Sequence, residues 1–588
     1  MLLQRLVEYA RTHCVSKPFH KEREFTWRLE LSSNGREPDL VDLREPNDRG
    51  KISGQRWLTP SVTRTVGVAP QLGADDVQYV LGWGDETTKP ERVDKCHAEF
   101  VALIDRWAQS VSGHDSAAGV VQDFYAAGGP QTLRRPLDFT AKQGVLIAVD
   151  GKPVIEHESL IRFWTDEVAR RKGGGTTGIC LVCGQDAVLV DTVPGNISKR
   201  LVPGAANNAA LVSVNERVFG YGLSTGLANT PICFSCGDAM NTALTDLLSG
   251  PHVMGLQQQD SAMTWWALGA SADDFFLVMP DQADPDAVAR LLSRLRNGTL
   301  AEASRMVPAV SGDRFCSVTL GGNSSRIMIR DWVDMPLQHV MGNLARWYDD
   351  HRVHTLWDDE PVSYSLRALV LATGRWDAGR NRYSDLGSTS ARRPEHIARD
   401  LIRTSVRKAP LPPSVLQHVL HRISNDGRID GPRAALLRLA LRRHPTKEIP
   451  MPAGLDEISD DPAYVAGRVF AQYEKIQYAA NNGKTKDGDT HTINATFTDR
   501  HFAGAISNPH PALMAGSKLL NAWLAKIRRR PSGGGLAHVL AGELDQLLHK
   551  TQVIPNRLRP DEQARFVLGY HHQRAHDTAQ RRAHQADK

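Results

Sequence analysis

Four thiols in two Cys-x-x-Cys pairs, Cys180-Leu-Val-Cys183 and Cys233-Phe-Ser-Cys236, constrain this chain more than any other local feature. Each pair is followed by a glycine, Gly184 or Gly237, which permits the tight turn that lets two sulfurs face one ion. Between Cys183 and Cys233 lie 49 residues, far more than the roughly 15–20 of a compact ribbon. The spacing therefore predicts a small domain whose intervening strands bring two knuckles together on one zinc ion. Four protein ligands leave no open position for water, so such an ion staples the fold and does no chemistry. Two unrelated buried or redox-active pairs are the competing reading.

A chain of 588 residues is expected to form three or more domains at roughly 100–200 residues each. The remaining cysteines, Cys14, Cys96 and Cys316, are scattered. That pattern is no disulfide framework and suits a reducing, cytoplasmic location. The start, Met1-Leu-Leu-Gln-Arg-Leu-Val-Glu8, reads as an amphipathic helix. No apolar run reaches the roughly 18 residues of a membrane span, so neither export nor insertion is expected.

The formal charge of +5 hides an asymmetry. Residues 391–450 carry 13 Lys and Arg against 5 Asp and Glu, and residues 451–588 carry 18 against 14. Residues 1–390 are left with a net −7. A basic C-terminal third suits a surface along a phosphate backbone, although basic helices also serve as solvated faces.

The fold class expected is α+β: an irregular, multi-domain N-terminal half with a zinc-knuckle insertion, then a mostly helical half ending in a bundle. Four regions are expected, 1–170, 171–334, 335–450 and 451–588. Asp150-Gly151 marks a hairpin over Val145–Ile155. Short strands are expected at Ala187–Val190 and Ala210–Val214. A strand-turn-strand is expected over Cys316–Leu320, Gly321–Ser325 and Arg326–Trp332. Beyond Met335 the apolar spacing becomes helical, with helix starts at Pro413 and Pro462 and further helices near 511–529, 535–549 and 560–575. A polar loop over Asn481–Thr492 is the segment expected to be mobile.

Catalytic signatures are weak. Gly483-Lys484-Thr485 lacks the earlier glycine of a phosphate loop, because position 478 is Tyr478. His571-His572-Gln-Arg574-Ala-His576-Asp577 reads as a polar helix end more readily than as a metal phosphohydrolase site. The adjacent pairs Asp75-Asp76, Asp349-Asp350 and Asp358-Asp359 are expected to diverge and lie in solvent. With no nucleophile motif either, a binding protein is expected and not an enzyme.

Several stretches, in order along nearly the whole chain, resemble one family. They include Arg56-Trp57-Leu-Thr-Pro60, Tyr79-Val-Leu-Gly82, Cys180-Leu-Val-Cys183-Gly184 and Ala209-Ala-Leu-Val-Ser-Val-Asn215. They continue through Asn241–Leu248, Leu320-Gly-Gly-Asn-Ser-Ser-Arg326-Ile-Met-Ile-Arg330-Asp-Trp332, Asp461-Pro-Ala-Tyr464, Gly467-Arg-Val-Phe470, Asp499-Arg-His-Phe502 and Phe566-Val-Leu-Gly-Tyr570-His-His-Gln-Arg574. The family is the large subunit of type I-C (Dvulg subtype) CRISPR Cascade complexes. Where many relatives resemble Asn-Ala-Pro-Val-Ser, this chain reads Asn229-Thr-Pro-Ile-Cys233, so complete zinc coordination belongs to a subset.

The resemblance implies a non-catalytic subunit that reads a short protospacer-adjacent motif in target double-stranded DNA, promotes R-loop formation and holds the displaced strand. Its implied partners are the Cascade backbone subunits with their CRISPR RNA and a helicase-nuclease. A small subunit from the same gene is also implied, started near Met451, Val465 or Val469. Candidate motif readers are Lys51, Gln55, Arg56, Arg64, Lys199, Arg200, Asn207, Asn208, Asn323 and Arg326, since Asn and Gln suit adenine and Arg suits guanine. Turn formation is the plainer role for Asn323. Candidates for the displaced strand are Arg403, Arg407, Lys408, Arg428, Lys526, Arg528, Arg529 and Arg530. The run Arg528–Arg530 also suits a helix C-terminus. A metal-dependent nuclease and a stand-alone zinc-ribbon DNA-binding protein are the alternatives.

Overall fold

The computed structural model describes residues 1–13, 19–46, 52–62, 67–111, 116–214, 216–220, 227, 229–268, 314–358, 360–481, 496–530, 533–551 and 553–586. They form two compact units, one of Met1–Pro251 with Gly322–Met328, the other of His252–Gly321 with Ile329–Lys588. The architecture is α+β, and the second half is mostly helical, as the periodicity predicts.

In the first unit, the strand Gly144–Val149 is buried at all six positions. Its unbroken apolar run fits a strand covered on both faces. It pairs in parallel with Trp27–Leu31 and antiparallel with Ala74–Asp76. The Asp150-Gly151 hairpin is present: both residues take left-handed φ of 50° and 79°, and Lys152–Pro153 folds back on Ala148 and Val149. The N-terminal helix, Leu2–His13, buries Leu6, Val7, Tyr9 and Ala10. It packs on the helix Phe234–Ser249, where the Tyr9 hydroxyl donates to Asp246 at 2.8 Å.

Three expectations fail. The region 316–332 is not a strand-turn-strand but one strand, Arg314–Pro336. Ser324, at φ 58°, absorbs the turn signal as a local irregularity within it. The strand expected at Ala210–Val214 lies earlier, at Ala205–Ala210. Neither Asp75 nor Asp350 lies in solvent. Asp75 is fully buried, and both it and Asp76 converge on Arg23, at 3.7 and 2.8 Å. Asp350 is buried against Arg442 and Arg443, at 3.2 and 2.6 Å. Buried carboxylates require such partners. The loop expected to be mobile falls, from residue 482 on, outside the described residues.

The second unit has one continuous core running from Met254, Trp265 and Phe315 through Trp347 and Leu437 to Phe470, Phe566 and Tyr570. Within it the helices Pro462–Asn481 and Pro560–Ala586 cross in close contact. A Cβ on Gly467 would lie 2.0 Å from the Phe566 carbonyl oxygen, and one on Gly569 would lie 2.1 Å from that of Tyr464. Only glycine permits two helical backbones to approach so closely. Beside the crossing, the Tyr464 hydroxyl lies 3.0 Å from His572 Nδ1, and Arg468 donates to Gln573 at 2.9 Å.

Neutral histidines fill this core. His571 and His351 are buried and depressed to about 4 and about 3, chiefly by desolvation, and His572 is also pushed down. Each therefore binds its proton in the unfolded chain, near pH 6.5, before it does so in the native one. Stability is full above that pH and falls as pH drops toward 4, by up to about 3 kcal/mol for His571 alone. Thermal melts between pH 7 and 4.5 should show this decline. His571→Gln, which keeps a donor for the His354 carbonyl 3.0 Å away, should flatten it. An equal decline in the variant would exclude His571 as a contributor.

Candidate metal centre and basic surfaces

The first cysteine pair sits at the tip of a hairpin. Gly173–Ile179 pairs antiparallel with Asp186–Val190, and the knuckle closes their end. Within the knuckle the Gly184 N–H donates to the Cys180 carbonyl at 2.8 Å, and the Cys180 N–H donates to the Gln185 carbonyl at 2.9 Å. Gly184 takes φ 73°, a conformation that favours glycine. The second pair opens the helix Phe234–Ser249, with Cys233 at its N-cap and Cys236 in its first turn. A helix N-terminus favours thiolate there.

Backbone bonds join the two knuckles. Leu181 N–H donates to Pro231 O at 2.9 Å, Val190 N–H to Ile232 O at 3.0 Å, and Leu189 bridges Cys233. The Cys233 and Val182 amides both point at Cys180 Sγ, at 3.2 and 3.4 Å. Such N–H···S bonds stabilise a thiolate.

All four sulfurs lie within 4.8 Å of one another, with Cys183 and Cys233 Sγ 3.9 Å apart. A tetrahedral ion with metal–sulfur bonds of about 2.3 Å needs sulfurs roughly 3.8 Å apart. The donor set could hold a metal ion and is compatible with zinc. Cys180, Cys233 and Cys236 are buried and Cys183 is half-buried. Hydrogen bonding from Cys236 holds the Cys233 thiol down to about 4, and the same contact holds Cys236 up. Packed this closely, the sulfurs cannot all ionise without a cation among them. Among the described residues this is the only group of three or more ligand side chains so arranged. His571 and His572 instead lie buried in the helical core. Spacing alone disclosed the four sulfurs but not Gln185, Pro231 and Ile232, whose carbonyls carry no sequence signal.

Six candidate DNA contacts gather on one part of the first unit. Ala205–Ala210, carrying exposed Asn207 and Asn208, pairs in parallel with the segment that carries Asn323 and Arg326. Ile197, just before Lys199 and Arg200, bridges Ala209 on the same strand. The Lys199 N–H donates to Asn208 Oδ1 at 3.2 Å, and the Arg326 guanidinium lies 4.7 Å over the exposed Phe219 ring. Gln55 and Arg56 lie elsewhere in that unit, on the strand Gln55–Pro60. Gln55 donates to Glu45 at 3.2 Å and Arg56 lies 3.8 Å from Glu22. Lys51 and Arg64 lie outside the described residues.

The candidates of the second unit are dispersed. Arg403 and Arg407 reach Asp331 at 4.0 and 3.3 Å. Lys408 ends their helix in a left-handed conformation. The Arg428 guanidinium lies 4.1 Å over Trp376. Arg528 closes the helix Pro509–Arg528, with Arg529 as its C-cap. Lys526 donates to Asn481 at 2.6 Å, while Arg530 donates to the Ala479 and Ala480 carbonyls at 2.5 and 2.6 Å. Arg530 therefore caps the neighbouring helix Pro462–Asn481, and Lys526 holds the side chain of its last residue. Among the described residues, no helix is long and apolar enough to cross a membrane.

The model of a family described as CRISPR-associated protein (Cas_Csd1) matches residues 2–577 of the chain. No curated protein matches it.

Proposed function

The chain belongs to the Cas_Csd1 family of CRISPR-associated proteins, and from that we propose that it is the non-catalytic large subunit of a type I-C Cascade surveillance complex. The observation that carries this reading is the extent of the match, residues 2–577. In this role the guide RNA reads the target by base pairing, and the subunit checks the flanking motif in duplex DNA. Opening DNA under a guide is a nearly balanced exchange, so modest protein contacts tip it. Asn207, Asn208, Asn323 and Arg326 are the motif-reading candidates that the fold gathers on one strand pair, where amide and guanidinium groups can address base edges. Basic side chains of the helical half would follow the displaced strand. The four cysteines would hold a structural zinc ion. The backbone subunits, a helicase-nuclease and a small subunit started near Met451 are the partners.

The test is a gel shift of the assembled RNA-guided complex, with and without this chain, on duplexes differing only in the flanking motif. Binding that needs both the chain and one particular flank is expected. Unchanged binding without the chain would remove the gatekeeper role. Within that assay, Asn207→Ala with Asn208→Ala should weaken binding to the matched flank at least tenfold, since tenfold is about 1.4 kcal/mol and a lost base contact costs roughly 1–3 kcal/mol. It should leave binding to mismatched flanks unchanged, and a uniform loss on every flank would point to phosphate contact instead.

A further inference from the structure

A basic cleft in the second unit is accounted for neither by the cysteine site nor by any motif in the sequence. Its walls come from three elements: Arg375 beyond the helix Leu366–Ala372, Ser390 and Arg392 at the 3-10 turn Thr389–Ala391, and Arg422, Asn425 and Asp426 at the end of the helix Pro413–Asp426. They enclose about 450 Å³, within the range of specific ligand sites.

Charge inside the cleft does not cancel. Asp426 is its single carboxylate, and both oxygens are occupied. One pairs with Arg422; the other accepts from Arg433 at 2.5 Å and from the Trp376 N–H at 3.0 Å. Arg433, fully buried, also donates to the carbonyls of Ala372, Gly374 and Arg428. One negative charge thus faces two inner arginines before the rim is counted. On the rim, Arg375 and Arg392 are exposed, and among the described residues neither guanidinium has an acidic partner.

Two further features shape the cleft. Arg422 is only 6% exposed, its Nη2 pairs with Asp426, and its Nε is shielded from solvent without a hydrogen-bond partner. Arg392 holds φ 51° and ψ 39°, an uncommon conformation for a side chain of its size. That turn separates it from Arg393, which points inward and donates to the carbonyls of Val370 and Ser384 at 2.9 and 3.0 Å. Arg393 holds the loop, and Arg392 is left at the mouth. Ser390 and Asn425 complete the walls, the Ser390 hydroxyl lying 2.8 Å from that of Ser388 and the Asn425 amide nitrogen 2.8 Å from His421 Nε2.

We propose that this cleft binds a phosphodiester group of a nucleic-acid strand through Arg375, Arg392 and Arg422. Guanidinium forks match phosphate oxygens in pairs, and the surplus positive charge favours an anion. The open mouth admits a group carried on a chain. Which strand occupies it rests on the function proposed above; the anion chemistry does not.

The test uses the full-length chain and a labelled ten-nucleotide single strand, followed by fluorescence anisotropy over a salt series, with inorganic phosphate alone measured in parallel by 31P NMR. Arg375→Gln with Arg392→Gln should weaken strand binding at least tenfold. It should also flatten the plot of log affinity against log salt by about 1.4, at roughly 0.7 per lost phosphate contact on a single strand. The charge-matched pair Arg11→Gln with Arg36→Gln, exposed in the other unit, should change neither. Both rim residues are exposed, so the thermal midpoint should hold. Equal affinity and slope in the cleft variant and the parent overturn the proposal. Absence of strand binding by the parent overturns it as well, as does tight binding of phosphate alone with no strand binding. Failure of the flank-dependent gel shift leaves this outcome unaffected, so the two ideas can fail separately.

Discussion

Removing one sulfur of the cysteine cluster, by Cys180→Ser or Cys236→Ser, is expected to release the zinc ion proposed above and to unfold the region such an ion would staple. Structural zinc contributes about 10–16 kcal/mol in small zinc-finger peptides. Loss of one of four ligands should therefore cost several kcal/mol even if three sulfurs keep the ion loosely. The loss should be local first, because the knuckles carry the contacts between the hairpin Gly173–Ile179/Asp186–Val190 and the helix Phe234–Ser249. Amide exchange over residues 176–190 should accelerate while that over 462–481 does not. Metal analysis of the purified chain and melts with and without a chelator give the direct readout. A chain that purifies without metal, and whose melting is indifferent both to chelator and to Cys180→Ser, would mean the cluster is no zinc site.

A single methyl group at the tightest helix crossing should be nearly as damaging. Gly467→Ala would place its Cβ 2.0 Å from the Phe566 carbonyl oxygen, a distance that two helical backbones can relieve only by separating. The expected loss is about 3 kcal/mol or more, at the upper end of overpacking, read as a fall in denaturant midpoint. Gly542→Ala offers the opposite sign. Nothing lies within 4 Å of a Cβ at that position in the helix Gly533–Lys550, so it should stabilise by up to about 1 kcal/mol through helix propensity. Equal effects at the two positions would refute the close crossing.

The difference between those glycines shows where sequence reasoning reaches its limit. Helical periodicity located the helices beginning at Pro413, Pro462 and Pro560, and nothing local separates Gly467 from Gly542, since only the packing partner differs. The cysteines were legible because metal coordination dictates both residue type and spacing. Asp75 and Asp350 were misplaced in solvent because charged residues usually lie there. Their arginine partners, Arg23 and Arg443, stand 52 and 93 residues away in the chain. Shorter separations, 17 and 30 residues, hid Arg375, Arg392 and Arg422 in the same way, since they meet in one cleft from three separate elements. The glycine-rich stretch at 321–325 signalled a turn, and the chain resolved that signal as an irregularity because Gly322–Met328 had a strand to pair with.

That borrowed strand has a consequence for the order of events during synthesis. The first unit is contiguous to Pro251 but lacks Gly322–Met328 until about seventy more residues have been made. At about 5–20 residues per second, the ribosome needs several seconds to supply them. Throughout that interval the strand Ala205–Ala210 lacks the neighbour it has in the native chain, and an unpaired strand is open to mispairing. The polar and small residues along it, Ala-Ala-Asn-Asn-Ala-Ala, make a poor template for aggregation. The nascent protein can therefore wait for its missing piece.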